Sequence, residues 1–294
     1  MHTLLKSLLL FSLPLLASCS RNVSFIVVSD PHFTGDTSAY AINRSMVENM
    51  NSLKGASHPD SRLPAIKPSF VWMLGDMTDA GKPEKWQQYE SLYGLNAENL
   101  LNYPVFECFG NHDGNVDGAV RKQIKQRNTR RQTKIHTDSL GLHYSWDVGR
   151  IHFVNLNLYP TNQWDPACEW CKYFKESFRE SEGSLAFLQQ DLKENVGTSG
   201  RPVILAFHIG FDDFSLKWWT ENDRKNFYEV IKDYHIRAIF HGHNHSVAKS
   251  LWNGIEVWSA GSPRHDDKTG EYLVVSVDKN GEISVRKRKL SSWE

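Results

Sequence analysis

The stretch Phe240-His241-Gly242-His243-Asn244-His245 constrains this chain more than any other. It sets two imidazoles one residue apart at the end of Ile236 to Phe240, a mostly apolar run that reads as a buried strand. Both rings can turn into one cleft, and Gly242 lets the backbone bend sharply as it leaves the sheet. A lone Gly-His-x-His is weak evidence. Its weight comes from four other apolar runs that end in residues of the same kind.

Ser24 to Val28 runs into Asp30-Pro31-His32, which offers an oxygen and a nitrogen ligand across a stiff proline. A surface Asp-Pro turn is the bland alternative. Phe70 to Leu74 ends in Gly75-Asp76-Met77-Thr78-Asp79, where the two carboxylates could simply flank a turn. Pro104 to Phe109 delivers Gly110-Asn111-His112-Asp113. Adjacent Asn and His cannot face one way on a regular strand, but in a turn one can take a metal and the other the substrate. Val203 to Phe207 ends at His208.

The 294 residues are 40% hydrophobic and 23% charged, which suits one large globular domain. Lys plus Arg equals Asp plus Glu, 34 against 34, so the basic excess of a nucleic-acid binder is missing and no such partner is expected. The basic run Arg286 to Lys289 reads as a solvated edge strand. Residues 1–19 stand apart as a leader: Lys6 gives a charged start, and Leu8 to Leu16 is apolar but too short for an ordinary membrane span. Leu16-Ala17-Ser18-Cys19 resembles a bacterial lipobox, in which Cys19 is lipidated. An ordinary secretory signal is the alternative, and both predict export. The domain proper is then 20–294. Cys108, in an apolar run, reads as a buried core thiol. Cys168 and Cys171 have metal-motif spacing without a second pair, and are read as a local disulfide or two free thiols.

Between these runs the periodicity predicts helices over 38–54, 83–101, 184–196 and 222–234, and a solvated helix or excursion over 118–132. Segments 143–148 and 151–156 form a hairpin about Gly149-Arg150, with His143 and His152 packed inside it rather than acting as ligands. The aromatic loop 210–220 reads first as a small satellite core covering a sheet edge, and second as a rim meeting substrate or membrane.

The ordered set Asp30-x-His32, Gly75-Asp76-x-x-Asp79, Gly110-Asn111-His112-Asp113, His208 and Gly242-His243-x-His245 resembles the calcineurin-like metallophosphoesterase superfamily, from about Ser24 to the last strand. The resemblance implies an α/β fold, a four-layer α/β/β/α sandwich with a dinuclear metal site at the strand ends. It implies that Asp76 bridges two metals, that Asp30, His32 and His245 complete one site, and that Asn111, His208 and His243 complete the other. Two divalent transition ions, Mn, Fe, Zn or Co, fit such donors. They acidify a water that attacks phosphorus in line. His112 would face the scissile group to stabilise charge or protonate the leaving oxygen, with Asp79 holding it, while Asp113 positions its motif and His241 closes the strand behind the ligands.

Purple acid phosphatases carry Gly where His32 stands and Tyr where Asp79 stands, so this chain does not resemble them. The pattern looks most like the phosphodiesterase branch. The expectation is an exported metal-dependent hydrolase of small phosphodiesters, a nucleotide or a phospholipid head group being the candidate substrates. If lipidated, the chain would be held at the membrane of the bacterial cell envelope. The alternatives are a phosphomonoesterase of the same fold and a catalytically silent surface binding lipoprotein.

Overall fold

The computed structural model describes residues 22–114, 118–170, 183–263 and 270–294. The expected leader over 1–19, with Cys19, and Cys171 lie outside these residues. In chain order the elements are β1 (Val23–Val28), α1 (Thr37–Asn51), β2 (Pro68–Leu74), α2 (Pro83–Leu92), β3 (Val105–Cys108) and α3 (Ala119–Arg130). Next come β4 (His136–Thr137), β5 (Tyr144–Val148), β6 (Ile151–Asn155), α4 (Ser184–Asp191), β7 (Val203–Phe207) and α5 (Glu221–Ile231). The chain closes with β8 (Ile236–His241), β9 (Ala248–Trp252), β10 (Ile255–Ser259), β11 (Glu271–Val277) and β12 (Ile283–Lys289).

Two sheets form, ordered β12-β11-β1-β2-β3 and β4-β5-β6-β7-β8-β10-β9. The two-residue period of the strands explains why they stack. Phe25, Val27, Phe70, Trp72, Ile204, Ala206 and Phe240 point into one aromatic layer between the sheets. Their neighbours Ile26, Val28, Val71, Met73, Leu205 and Ile239 join the helix side chains Met46, Met50, Leu188 and Phe227 in the outer layers. The result is the expected α/β/β/α sandwich. Phe106 stacks on Trp146 across the middle at 4.0 Å between centroids, and Trp72 Nε1 donates to Asn155 Oδ1 at 3.1 Å. Cys108 is buried beside Asn155, and burial pushes its thiol up, as a core thiol requires.

Strands β1, β2 and β3 run parallel, as do β6, β7, β8 and β10. Their carboxyl ends are stitched into one edge of the sandwich: Asp30 N–H donates to Gly75 O (3.0 Å), Gly242 N–H to His208 O (3.0 Å) and Ser29 N–H to Gly261 O (3.1 Å). Ligands of α/β folds collect at such edges.

Three expectations about helices need correction. The helix from Pro83 stops at Leu92, because Tyr93 leaves helical geometry and the Glu98 carboxylate takes the Leu95 N–H at 2.7 Å. Helix α4 gives way at Asp191 to a single π-helical turn over Leu192–Val196. The basic segment before β4 is a helix, α3, but not a wholly solvated one: Arg127 meets the buried Glu107 at 2.5 Å and Arg121 lies over the Phe109 ring at 4.2 Å. The hairpin β5–β6 forms as expected, and His143 and His152 are both buried in it. Cys168 is disulfide-bonded. Among the described residues no helix is long and apolar enough to cross a membrane.

Candidate active site

Three of the five motif loops pass through left-handed backbone as they bring their polar residues inward. Asp30, His32, Asp76, His243 and His245 all have positive φ, between 41° and 71°. Non-glycine residues in this region cost about 1 kcal/mol or more each, and such strain clusters at functional sites. Gly242 is needed for a different reason from the expected bend. A Cβ there would lie 2.0 Å from Ser29 Oγ and 2.7 Å from Leu74 O, so the residue must be glycine for the second sheet to approach the first. Gly110 is the same case, since its Cβ would fall 2.2 Å from Asp76 Oδ1.

The loops interlock through the carboxylates. Asp76 Oδ1 accepts the His112 N–H at 2.7 Å, which leaves Oδ2 facing inward. Asp30 Oδ2 accepts the His243 N–H at 3.0 Å, which leaves Oδ1 facing inward. Asp30 Oδ1, Asp76 Oδ2 and His243 Nε2 are buried and make no hydrogen bond. Around them two groups of donors assemble: Asp30, His32 and His245, and Asp76, His208 and His243, the donor atoms of each group lying within 4.8 Å of one another. Asp76 Oδ2 stands between the groups, 3.7 Å from His32 Nε2 and 3.2 Å from His208 Nε2. Asn111 Oδ1 joins the second group at 3.0 Å from His208 Nε2.

His208 exposes the electrostatic problem of this arrangement. Its Nδ1 faces Leu74 O at 2.7 Å, and a carbonyl can only accept, so Nδ1 carries a proton. Its Nε2 then faces two oxygens, and only a second proton or a cation removes the repulsion. Burial alone would lower this imidazole, but the Asp76 charge dominates and holds it up at about 9. Burial likewise raises the Asp76 and Asp30 carboxyls, yet the neighbouring histidines outweigh it and hold both below the usual range. His243 goes the other way: burial and the nearby His208 push it down to about 4, so its ring is neutral, as a metal ligand must be.

Asn111 and His112 do take different directions. Asn111 is buried against His208, whereas His112 stands at the mouth with its side chain 45% exposed. The His112 Nδ1 is 3.4 Å from Asp79 Oδ1, and its ring packs edge-on to His32 at 5.0 Å. Asp79 is held in turn by Lys85, whose Nζ is 3.5 Å from Oδ2. Asp113 is buried away from the mouth. Its carboxylate accepts the N–H groups of Thr78 (2.8 Å), Gly110 (2.9 Å) and Met77 (3.2 Å), tying the second and third loops together. His241 is buried with Nδ1 2.8 Å from Gly242 O, beneath the turn that carries His243.

Several contributors escape a reading by motif. Lys85 has no signal beyond its place in the first turns of α2. Ser262 Oγ donates to Asp30 O at 2.7 Å from a loop with no ligand of its own. Phe214 stacks on His243, with centroids 5.5 Å apart and planes 17° apart, and Trp218 meets the same ring edge-on at 5.7 Å. The aromatic composition of the loop was the available clue to these two contacts.

A two-sheet sandwich that gathers unsatisfied carboxylate and imidazole donors at its strand ends is built as a metal-dependent hydrolase. The family model of calcineurin-like phosphoesterases matches residues 23–247, and the chain belongs to that family. It is therefore a hydrolase of phosphate esters, and its family works with a dinuclear divalent metal centre. Among solved structures it is similar to a dimetal phosphatase from Danio rerio, at 12% identity and a TM-score of 0.64, covering 91% of this chain and 95% of that one. It is also similar to GAP50, the anchor in the inner membrane complex of Plasmodium, at 14% identity and a TM-score of 0.57, covering 93% of this chain and 86% of that one. At such identities the likeness concerns the fold. No curated protein matches the chain.

Proposed function

We propose that this chain is an exported phosphoesterase acting on small phosphodiesters, with Asp76 shared between two metal positions. Asp30, His32 and His245 complete the first position, and Asn111, His208 and His243 the second. One observation carries this reading: Asp30 Oδ1, Asp76 Oδ2 and His243 Nε2 converge from three loops, buried and making no hydrogen bond, with the two carboxylate oxygens lying against other imidazoles of the site, His245 at 3.4 Å and His208 at 3.2 Å. Leaving such atoms unpaired costs about 1–3 kcal/mol each, more for charged groups, and divalent cations would satisfy all three. The mixture of imidazole, carboxylate and amide oxygen fits Mn, Fe, Zn or Co. When bound, such ions supply a water acidic enough to attack near neutral pH and positive charge against the phosphoryl oxygens.

The chain's own residues prepare the rest. Leu74 O fixes the His208 tautomer so that Nε2 faces inward. The His112 N–H keeps Asp76 Oδ2 turned toward both donor groups. The His112 ring, held at the mouth by Asp79 with Lys85 behind, is assigned the proton that goes to the leaving oxygen as its bond to phosphorus breaks. The diester preference rests on the Asp30-x-His32 and Gly110-Asn111-His112-Asp113 pattern. Export rests on the leader over 1–19, with Cys19 as the lipidated residue in the cell envelope and 20–294 as the folded enzyme.

The test uses the chain from Ser20 onward, stripped by chelator and restored with Mn²⁺. Hydrolysis of bis-p-nitrophenyl phosphate that returns with metal and exceeds that of the monoester supports the proposal. Monoester preference would move the chain to the phosphatases, two bound metals without turnover on either ester would point to a narrow substrate requirement, and a chain that binds no metal would favour the silent binding protein. Palmitate labelling that survives Cys19→Ser would remove the lipid anchor from the account.

A further inference from the structure

Phe214 is one of three large hydrophobic residues left exposed among the described residues, at 48%. The loop that carries it is rigidly built, so its exposure is not the slack of a mobile segment. Trp219 Nε1 donates to Gly210 O at 2.8 Å, and Arg224 donates to Phe211 O at 2.8 Å. The Asp212 carboxylate accepts the Ser215 N–H at 3.1 Å and Oγ at 2.7 Å. It also accepts Asn244 Nδ2 at 3.0 Å, which ties the loop to the turn that holds His243 and His245. Trp218 and Trp219 fill the core beneath, yet Phe214, four and five residues earlier, is held out. One side of its ring lies on His243, and an edge of it meets Trp170 at 5.9 Å.

The placement divides the mouth into two flanks. His112 stands beside His32, on the side of the first donor group. Phe214 stands beside His243, on the side of the second. A phosphorus centre seated over both groups would have the His112 ring on one flank and the half-exposed Phe214 ring on the other. Only a diester has a second organic substituent to put there.

We propose that Phe214 is a specificity-determining residue that packs a planar, apolar substituent retained on the phosphorus of a diester, opposite the leaving group at His112. This rests on the metal-dependent reading of the same site. In the hydrolysis the P–O bond to the leaving group breaks, water oxygen bonds to phosphorus, and the substituent over Phe214 stays on the monoester product. An exposed aromatic face favours an aryl or base-like ring over a methyl group about two- to tenfold.

Phenylphosphonate and methylphosphonate, neither of which turns over, separate this inference from the proposed activity. Their binding to the Mn²⁺-loaded chain is measured by titration calorimetry, alongside metal content. The expected result is a two- to tenfold preference for the phenyl compound in the native chain. The preference should vanish in Phe214→Ala, return in Phe214→Tyr, and leave metal content unchanged in both. A native chain without the preference, or a Phe214→Ala chain that keeps it, overturns the proposal. Loss of metal from Phe214→Ala also overturns it, because Phe214 would then be a cover for His243. A phenyl preference in a chain that hydrolyses no ester would sink the proposed activity and, with it, the assignment of Phe214 to a retained diester substituent, leaving only an aryl-binding contact.

Discussion

Two buried histidine–carboxylate groups in this molecule look alike by residue type and differ in how they are completed. In the β5–β6 hairpin, His152 places Nδ1 2.8 Å from Asp147 Oδ1 and Nε2 2.7 Å from Asp191 Oδ2. The remaining Asp191 oxygen takes Ser145 Oγ at 2.6 Å and Asn195 Nδ2 at 2.8 Å, and Arg201 lies 2.7 Å from Asp147. That group is closed and serves as a brace between hairpin and helix. At the strand ends, His32 and His245 point their Nε2 atoms at each other 3.1 Å apart, and the inward oxygens of Asp30 and Asp76 make no hydrogen bond and lie against the imidazoles of His245 (3.4 Å) and His208 (3.2 Å). The contrast locates function in the unsatisfied atom rather than in the histidine.

The comparison breaks if the open group tolerates substitution as the closed one does. Asp76→Asn keeps the shape and removes the inward charge. Turnover should fall by more than the ~100-fold that loss of an outer metal-supporting group costs, with the fold intact by circular dichroism. His112→Ala should lower kcat by about 10²-fold on a diester with an alkyl leaving group, and less on a p-nitrophenyl ester whose leaving oxygen needs little protonation, while metal content holds. An equal loss on both esters would remove the proton-donor role.

The closed group should fail in a different currency. His152→Ala leaves Asp191 buried without its partner and should lower unfolding stability by about 3 kcal/mol in urea titration, at the lower end for a broken buried pair because Asp147 is partly solvated. Activity per folded chain should be retained. The smallest effect is its pH dependence. Burial lowers the His152 ring, but hydrogen bonds to Asp147 and Asp191 outweigh it and raise the imidazole above its ordinary 6.5. The stabilisation is thus fully present below about pH 6.5 and is lost as pH rises through the raised value. Urea midpoints of the native chain and His152→Gln should converge over the range in which pH rises above about 6.5. A gap that widens over that range contradicts the brace.

The sequence made the open group legible because each loop of it is short and follows a strand, so spacing survives into geometry. It left Lys85 and Ser262 dark because they reach the site from a helix and a loop without ligands, and it marked Phe214 only through the aromatic composition of its loop. The strain was hidden too. Gly75 takes the positive φ a turn glycine allows, but so do Asp30, His32, Asp76, His243 and His245. Helix lengths failed where side chains override periodicity, as when Glu98 captures the Leu95 N–H, and the basic face of α3 misled because Glu107 is buried opposite it.

The most direct test of the central claim is metal content per folded chain, measured by plasma mass spectrometry after Mn²⁺ loading and desalting, for the native protein and Asp76→Asn. Two metal positions sharing Asp76 require about two divalent ions in the native chain and a clear loss in the variant. One ion or none in the native chain, or two retained without the Asp76 carboxylate, would contradict it.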